Sequence, residues 1–152
     1  MRDEANRKVS TVPNSERPIL LVGKFERSHR DDLVAACTRA KMTPFLATDL
    51  SEFKLWNEKR SPRVIVIQAG LPHAEDICLH VRANPKLSLV PILALADNVT
   101  DLTFAELYGW GGDDVVLSSD TESLERRLRL LPEDLPLEAA DLRGIALVAD
   151  AD

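Results

Sequence analysis

An α/β domain, with a mainly parallel five-stranded sheet doubly wound by helices on both faces, is what the sequence predicts, and three observations carry that reading. From Pro18 onward, short apolar runs alternate with segments of helical spacing, which is the signature of successive βαβ units. The most apolar run, VIVIQ from Val64, is rich in β-branched residues at consecutive positions and suits a strand buried on both faces in the middle of a sheet. The chain of 152 residues is 45% hydrophobic and 29% charged, enough for one ordinary core without disulfides or metals.

The elements follow in order. ILLV (Ile19 to Val22) is the first strand. Ser28 is placed to cap the next helix, in which Leu33, Ala36, Cys37 and Ala40 form one apolar face at three- and four-residue steps. TPFLAT (Thr43 to Thr48) is a weaker strand, and Asp49 or Ser51 caps a short helix carrying Phe53, Leu55 and Trp56. VIVIQ is the third strand. Ala74, Ile77, Cys78 and Val81 give a second clean helical stripe, closed by Asn84-Pro85 because proline cannot continue a helix. LVPILALA is the fourth strand, and a helix from Asp101 to Tyr108 turns Leu102, Ala105 and Leu107 inward before GWGGDD breaks it. DVVLS is the fifth strand. Asp120 or Ser119 then caps a helix with Leu124, Leu128 and Leu131 on its apolar face, and Pro132 ends it.

Composition narrows the function classes. No apolar run approaches the roughly 20 residues a membrane-spanning helix needs. Residues 1–17 lack the apolar segment of a secretion signal and read as a flexible lead-in. A net charge of -6 and the lack of a basic stripe interleaved with aromatics disfavour nucleic acid as a partner. The two cysteines, Cys37 and Cys78, fall among apolar helix positions and read as buried thiols of a reducing, cytoplasmic compartment. His29, His73 and His80 form no ligand set and read as surface residues, since His73 and His80 stand about 10.5 Å apart along a helix. Glu75 with Asp76, and Asp31 with Asp32, are sequence neighbours that point in different directions on a helix. No motif resembles a nucleophile elbow or a glycine-rich phosphate loop. An enzyme is not expected, nor is a cofactor or a catalytic or metal-binding residue.

Five βα units of this size and order resemble the receiver domain of two-component response regulators, the flavodoxin-like CheY fold, over residues 18–131. The marks are QAGLP, with Pro72 four residues past Gln68 as in the family's D-x-x-x-P; VPILALA, like its IP-plus-strand segment; and GGDDVVLSS, like its GADDYLTKP. The resemblance implies strand order 2-1-3-4-5. It also implies a phosphorylation pocket at Gly23, Lys24, Gln68, Ala96 and Ser118. There the family places an acid pair for Mg²⁺, a phosphoryl-accepting Asp, a Thr or Ser, and a Lys, and none of the five positions matches.

Each replacement removes chemistry. The Gln68 amide is neutral, its nitrogen lone pair is delocalised, and its oxygen is a poor attacker of phosphorus. Gly23 supplies no ligand to a divalent ion, and Lys24 brings a like charge, worth about 4 kcal/mol of repulsion at ~4 Å and an effective dielectric near 20. Ala96 has no hydroxyl, and Ser118 carries no charge to neutralise a phosphoryl group. The aromatic residue common early in the family's fifth strand is Val115 here. The expectation is a degenerate receiver, or pseudoreceiver, in which Gln68 fills a polar strand end with hydrogen bonds instead of charge. Asp97, Asp113 and Asp114 are read as loop-capping or solvated residues.

The expected work is protein–protein interaction or dimerisation within two-component or cyclic-di-GMP signalling. The candidate surface is Tyr108, Trp110, Val115, Arg126, Arg129 and Leu130, with Glu122 and Glu125 in the same charged row. Trp110 either anchors a contact or covers the sheet edge. The alternative is a small-ligand sensor whose emptied pocket takes a cyclic dinucleotide, although no R-x-x-D element supports that. After Pro132, residues 132–152 read as a linker followed by IALVADAD, with Asp150 at one position of a family acid pair and Ala149 at the other. That is how a second receiver would begin, so the partner expected is a neighbouring receiver or output domain, or a second copy of the chain.

Overall fold

A computed structural model describes residues 17–98 and 104–131. Five parallel strands form one sheet: β1 (Pro18–Val22), β2 (Thr43–Ala47), β3 (Val64–Gln68), β4 (Ile92–Ala96) and β5 (Asp114–Leu117), ordered β2-β1-β3-β4-β5. That order is the one the sequence implied. Ile19 stands opposite both Pro44 and Val64, Ile65 opposite Ile92, and Ala94 opposite Val115. Central position and sequence agree, because β3 and β4 are buried along nearly their whole length, as continuous apolar runs in a parallel sheet require.

Five helices alternate with the strands: α1 (Arg27–Arg39), α2 (Leu50–Asn57), α3 (Ala74–Ala83), α4 (Phe104–Trp110) and α5 (Thr121–Leu130). They divide the core into two layers by strand alternation. On one face Leu20, Val22, Ile65, Ile67, Ile92 and Ala94 pack against Phe53 of α2, Ile77 and Val81 of α3 and Leu107 of α4. On the other, Ile19, Leu21, Val64, Val66 and Leu95 pack against Leu33 and Cys37 of α1 and Leu124 and Leu128 of α5. Fully burying one such aliphatic side chain contributes about 1.5–3 kcal/mol, so the stripes outweigh any single cap.

The helix ends show which local signals the chain uses. Asp49 accepts a hydrogen bond from the Glu52 amide at 2.9 Å, and Asp120 one from the Ser123 amide at 3.0 Å; of the alternatives the sequence left open, the side-chain N-caps are Asp49 over Ser51 and Asp120 over Ser119. Glu52 reaches back to the Thr48 amide at 2.7 Å. Ser28 does not cap α1. The helix begins one residue earlier, with Glu26 in the capping position and no side-chain cap bond, so Ser28 lies within the first turn. One inward assignment changes: Ala105 is exposed, as is Leu55 of α2 at 65%. Each stands two residues from the buried member of its helix, Phe53 or Leu107, which is about 200° around the axis. Helix α4 continues through Gly109 to Trp110 and stops at Gly111. Its expected start, with Leu102, lies outside the described residues, as do the N-terminal lead-in to residue 16 and the segment 132–152.

At the sheet's β2 edge, the Thr43 amide donates to Arg17 and the Ala47 carbonyl accepts from Gly23, both at 2.9 Å. Parallel pairing alternates, so the backbone groups of Pro44 and Leu46 face outward.

Beneath the sheet's amino end, Arg82 at the end of α3 binds three carbonyls and one carboxylate. Its Nε donates to Gly111 at 2.6 Å, one terminal nitrogen donates to Ser88 at 2.9 Å and Val90 at 2.7 Å, and the other donates to Asp113 at 2.8 Å. The same Asp113 oxygen accepts the Ile92 amide at 2.8 Å. Gly111 is required here: its φ is +95°, and a Cβ would lie 2.5 Å from Arg82 Cγ.

Candidate functional site

The carboxyl ends of β1, β3, β4 and β5 converge on one rim, where doubly wound sheets commonly place their sites. Gly23 and Lys24 follow β1, Gln68 ends β3, Ala96 ends β4, and Ser118 follows β5. An open cleft of about 560 Å³ at this rim is lined by Lys24, Gln68, Gly70, Leu71, Leu95 and Asp97, so of the five expected positions Lys24 and Gln68 line it. Ala96 and Ser118 are buried and are joined by a Ser118 amide to Ala96 carbonyl bond of 2.8 Å.

Gln68 is the centre of this arrangement. Its Oε1 accepts the Lys24 amide at 2.8 Å, and its Nε2 donates to the Lys24 carbonyl at 3.4 Å. The side-chain amide therefore pairs with the Lys24 backbone on both sides, much as a neighbouring strand would. Such an approach needs space at residue 23. A Cβ on Gly23 would lie 2.7 Å from Gln68 Cβ, 2.8 Å from Gln68 Oε1 and 2.8 Å from Phe25 Cζ. Glycine at 23 and glutamine at 68 are thus sterically matched. A carboxylate at 68 would keep the acceptor but lose the donor to the Lys24 carbonyl.

The donor set does not fit a divalent cation. Magnesium prefers several hard, charged oxygens, yet Gly23 has none, Lys24 is a cation, and Gln68 Oε1 is already engaged. Among the described residues, Asp97 is the one carboxylate lining the cleft. Among the described residues, no three His, Cys, Asp or Glu side chains gather to hold an ion.

Sequence reasoning missed His29. Its Nε2 lies 2.9 Å from the Ser118 carbonyl; a carbonyl only accepts, which places the proton on Nε2. The ring meets Phe25 edge-on, with centroids 5.7 Å apart. His80 is also half-buried, edge-on to Phe53 at 5.8 Å, and burial with nearby Lys54 pushes its pKa down. Only His73 is fully at the surface, beside Asp76. Cys37 and Cys78 are buried thiols, raised by desolvation to about 12 and about 11. Asp113 and Asp114 stand at the opposite end of the sheet from the cleft, Asp113 with Arg82 and Asp114 with Arg127.

The residues of the expected interaction surface separate into three environments. Tyr108 and Leu130 are 72% and 79% exposed, and Arg126 is exposed as well. Trp110 and Val115 are half-buried against the core, so Trp110 covers packed residues. Arg129 is turned toward α1: it holds Glu125 at 2.8 Å and the Arg39 carbonyl at 2.9 Å, while Arg39 holds the other Glu125 oxygen at 2.7 Å.

No protein-family model matches the sequence, and no curated protein is similar to it. Solved structures are similar in fold. The chemotaxis response regulator CheY4 of Vibrio cholerae matches with a TM-score of 0.66 at 21% identity, over 76% of this chain and 99% of that one. The receiver domain of sensor histidine kinase PA1611 from Pseudomonas aeruginosa, with magnesium coordinated in its active-site cleft, matches at 0.64 and 20% identity, over 75% and 95%. HP1043, an orphan response regulator of H. pylori, matches at 0.63 and 14% identity, over 77% and 98%. The fold is therefore that of CheY-like receiver domains.

Proposed function

We propose that this chain is a pseudoreceiver: a receiver-like signalling module of two-component or cyclic-di-GMP pathways that acts by docking partners and is not switched by phosphate. The observation that carries this reading is the neutral Gln68 amide at the end of β3, bonded to the Lys24 backbone. An amide there neither attacks phosphorus nor leaves a charged group free for a metal ion. Output then depends on which partner arrangement binds more tightly. The module is cytoplasmic in this reading, and among the described residues no helix is long and apolar enough to cross a membrane.

Incubation with Mg²⁺ and acetyl phosphate, read by intact mass, tests the central claim. The expected result is no phosphoryl adduct; an adduct mapped to any aspartate ends it. Docking is tested separately at Tyr108 and Leu130, the two most exposed large hydrophobic side chains among the described residues. Tyr108→Ala with Leu130→Ala should weaken self-association or capture of the neighbouring domain in light scattering while leaving the fold intact. Trp110→Ala is a poorer probe, because that ring packs on the core. A cyclic di-GMP titration by calorimetry should show no heat of binding; saturable binding would favour the sensor alternative.

A further inference from the structure

The links described around the rim join end to end. Gln68, at the tip of β3, grips the Lys24 backbone. The next residue, Phe25, lies over Gly23 and meets His29 edge-on. His29 bonds the Ser118 carbonyl, at the tip of β5 and 89 residues away in sequence. Phe25 packs on the α1/α5 core layer, so the ring is held from beneath. No carboxylate or lysine ammonium is a member of the chain. The geometry points to a built-in lock: the chain Gln68–Lys24 backbone–Phe25–His29–Ser118 ties the ends of β3 and β5 to the β1–α1 turn and holds the rim in one arrangement without ion or phosphoryl group.

This goes beyond the absence of phosphorylation, since a rim lacking that chemistry could equally be loose. A lock predicts that damage at one end is felt at the other. Ordinary surface hydrogen bonds predict only local effects. Amide hydrogen exchange on the full chain distinguishes the two. In Gln68→Ala, exchange should rise roughly fivefold to tenfold at residues 23–26, as expected for one lost hydrogen bond, and also rise measurably at residues 117–120. His29→Ala should produce the reciprocal pattern, strongest at 117–120 and present at 23–26. Phe25→Leu keeps apolar bulk but removes the ring edge, and it should release both segments; it serves if Gln68→Ala does not fold. Changes confined to the mutated end in the folded variants would overturn the lock. So would a change at either segment of the unmodified chain on adding Mg²⁺ with beryllofluoride. Acetyl-phosphate labelling fails or succeeds independently of these exchange patterns, so the two readings fall separately.

Discussion

The two ends of the sheet solve the same problem with opposite chemistry. At the amino end, Arg82 and Asp113 bring full charges together and satisfy three carbonyls and a strand amide. At the carboxyl end, an amide, an imidazole and backbone groups do the joining, and Lys24 is exposed at the cleft. Charge is retained where it holds the loops before β4 and β5 in place. No carboxylate or guanidinium takes part in the links at the carboxyl end.

The largest expected effect breaks the charged end. Arg82→Ala strands three carbonyls and a carboxylate, and should lower the unfolding free energy by about 3 kcal/mol in urea denaturation. Arg82→Lys should recover little, because one ammonium cannot meet acceptors spread around a planar fork. If Arg82→Ala is nearly neutral, the contrast between the ends is wrong. Gly23→Ala perturbs the neutral end by steric overlap with Gln68 and Phe25, with an expected cost of about 2 kcal/mol. Combining it with Gln68→Ala should cost less than the sum of the two single variants.

Smaller effects come from titration. The Cys37 and Cys78 thiols are raised from 9.0 to about 12 and about 11 by burial. Above pH 9.0 the unfolded chain loses these protons while the folded one keeps them, so fewer are bound in the unfolded state. Stability should stay level through neutral pH and decline from there toward the folded values. Thiol reagents at neutral pH should label neither residue until the chain unfolds. Smallest of all is the surface cluster on α1 and α5. Arg39, then Arg129, hold the Glu125 carboxyl below its ordinary range, so its contribution is present above the usual carboxylate pKa and lost as pH falls through the lowered value. Glu125→Gln should differ slightly from the parent at neutral pH and low salt, and not at acid pH or high salt.

Much of this fold was legible because its signals are local. The β-branched run of β3, the stripe Ala74, Ile77, Cys78 and Val81, and the caps at Asp49 and Asp120 each depend on residues within a few positions. Ala105 was misplaced because a short helix carries too few turns for its face to be fixed by apolar character alone. The identity of the rim residues was also legible, through their places in the family's pattern. Their bonding was not. His29 and Arg82 were overlooked because their partners lie 89 and as many as 31 residues away, and nothing in the flanking sequence marks them.

Pro44 limits how partners reach the molecule. An incoming peptide that tried to extend the sheet beyond β2 would find no amide hydrogen at that residue, leaving Leu46 alone to offer one along the outward stretch. Strand addition and edge-to-edge polymerisation are thereby discouraged on that flank.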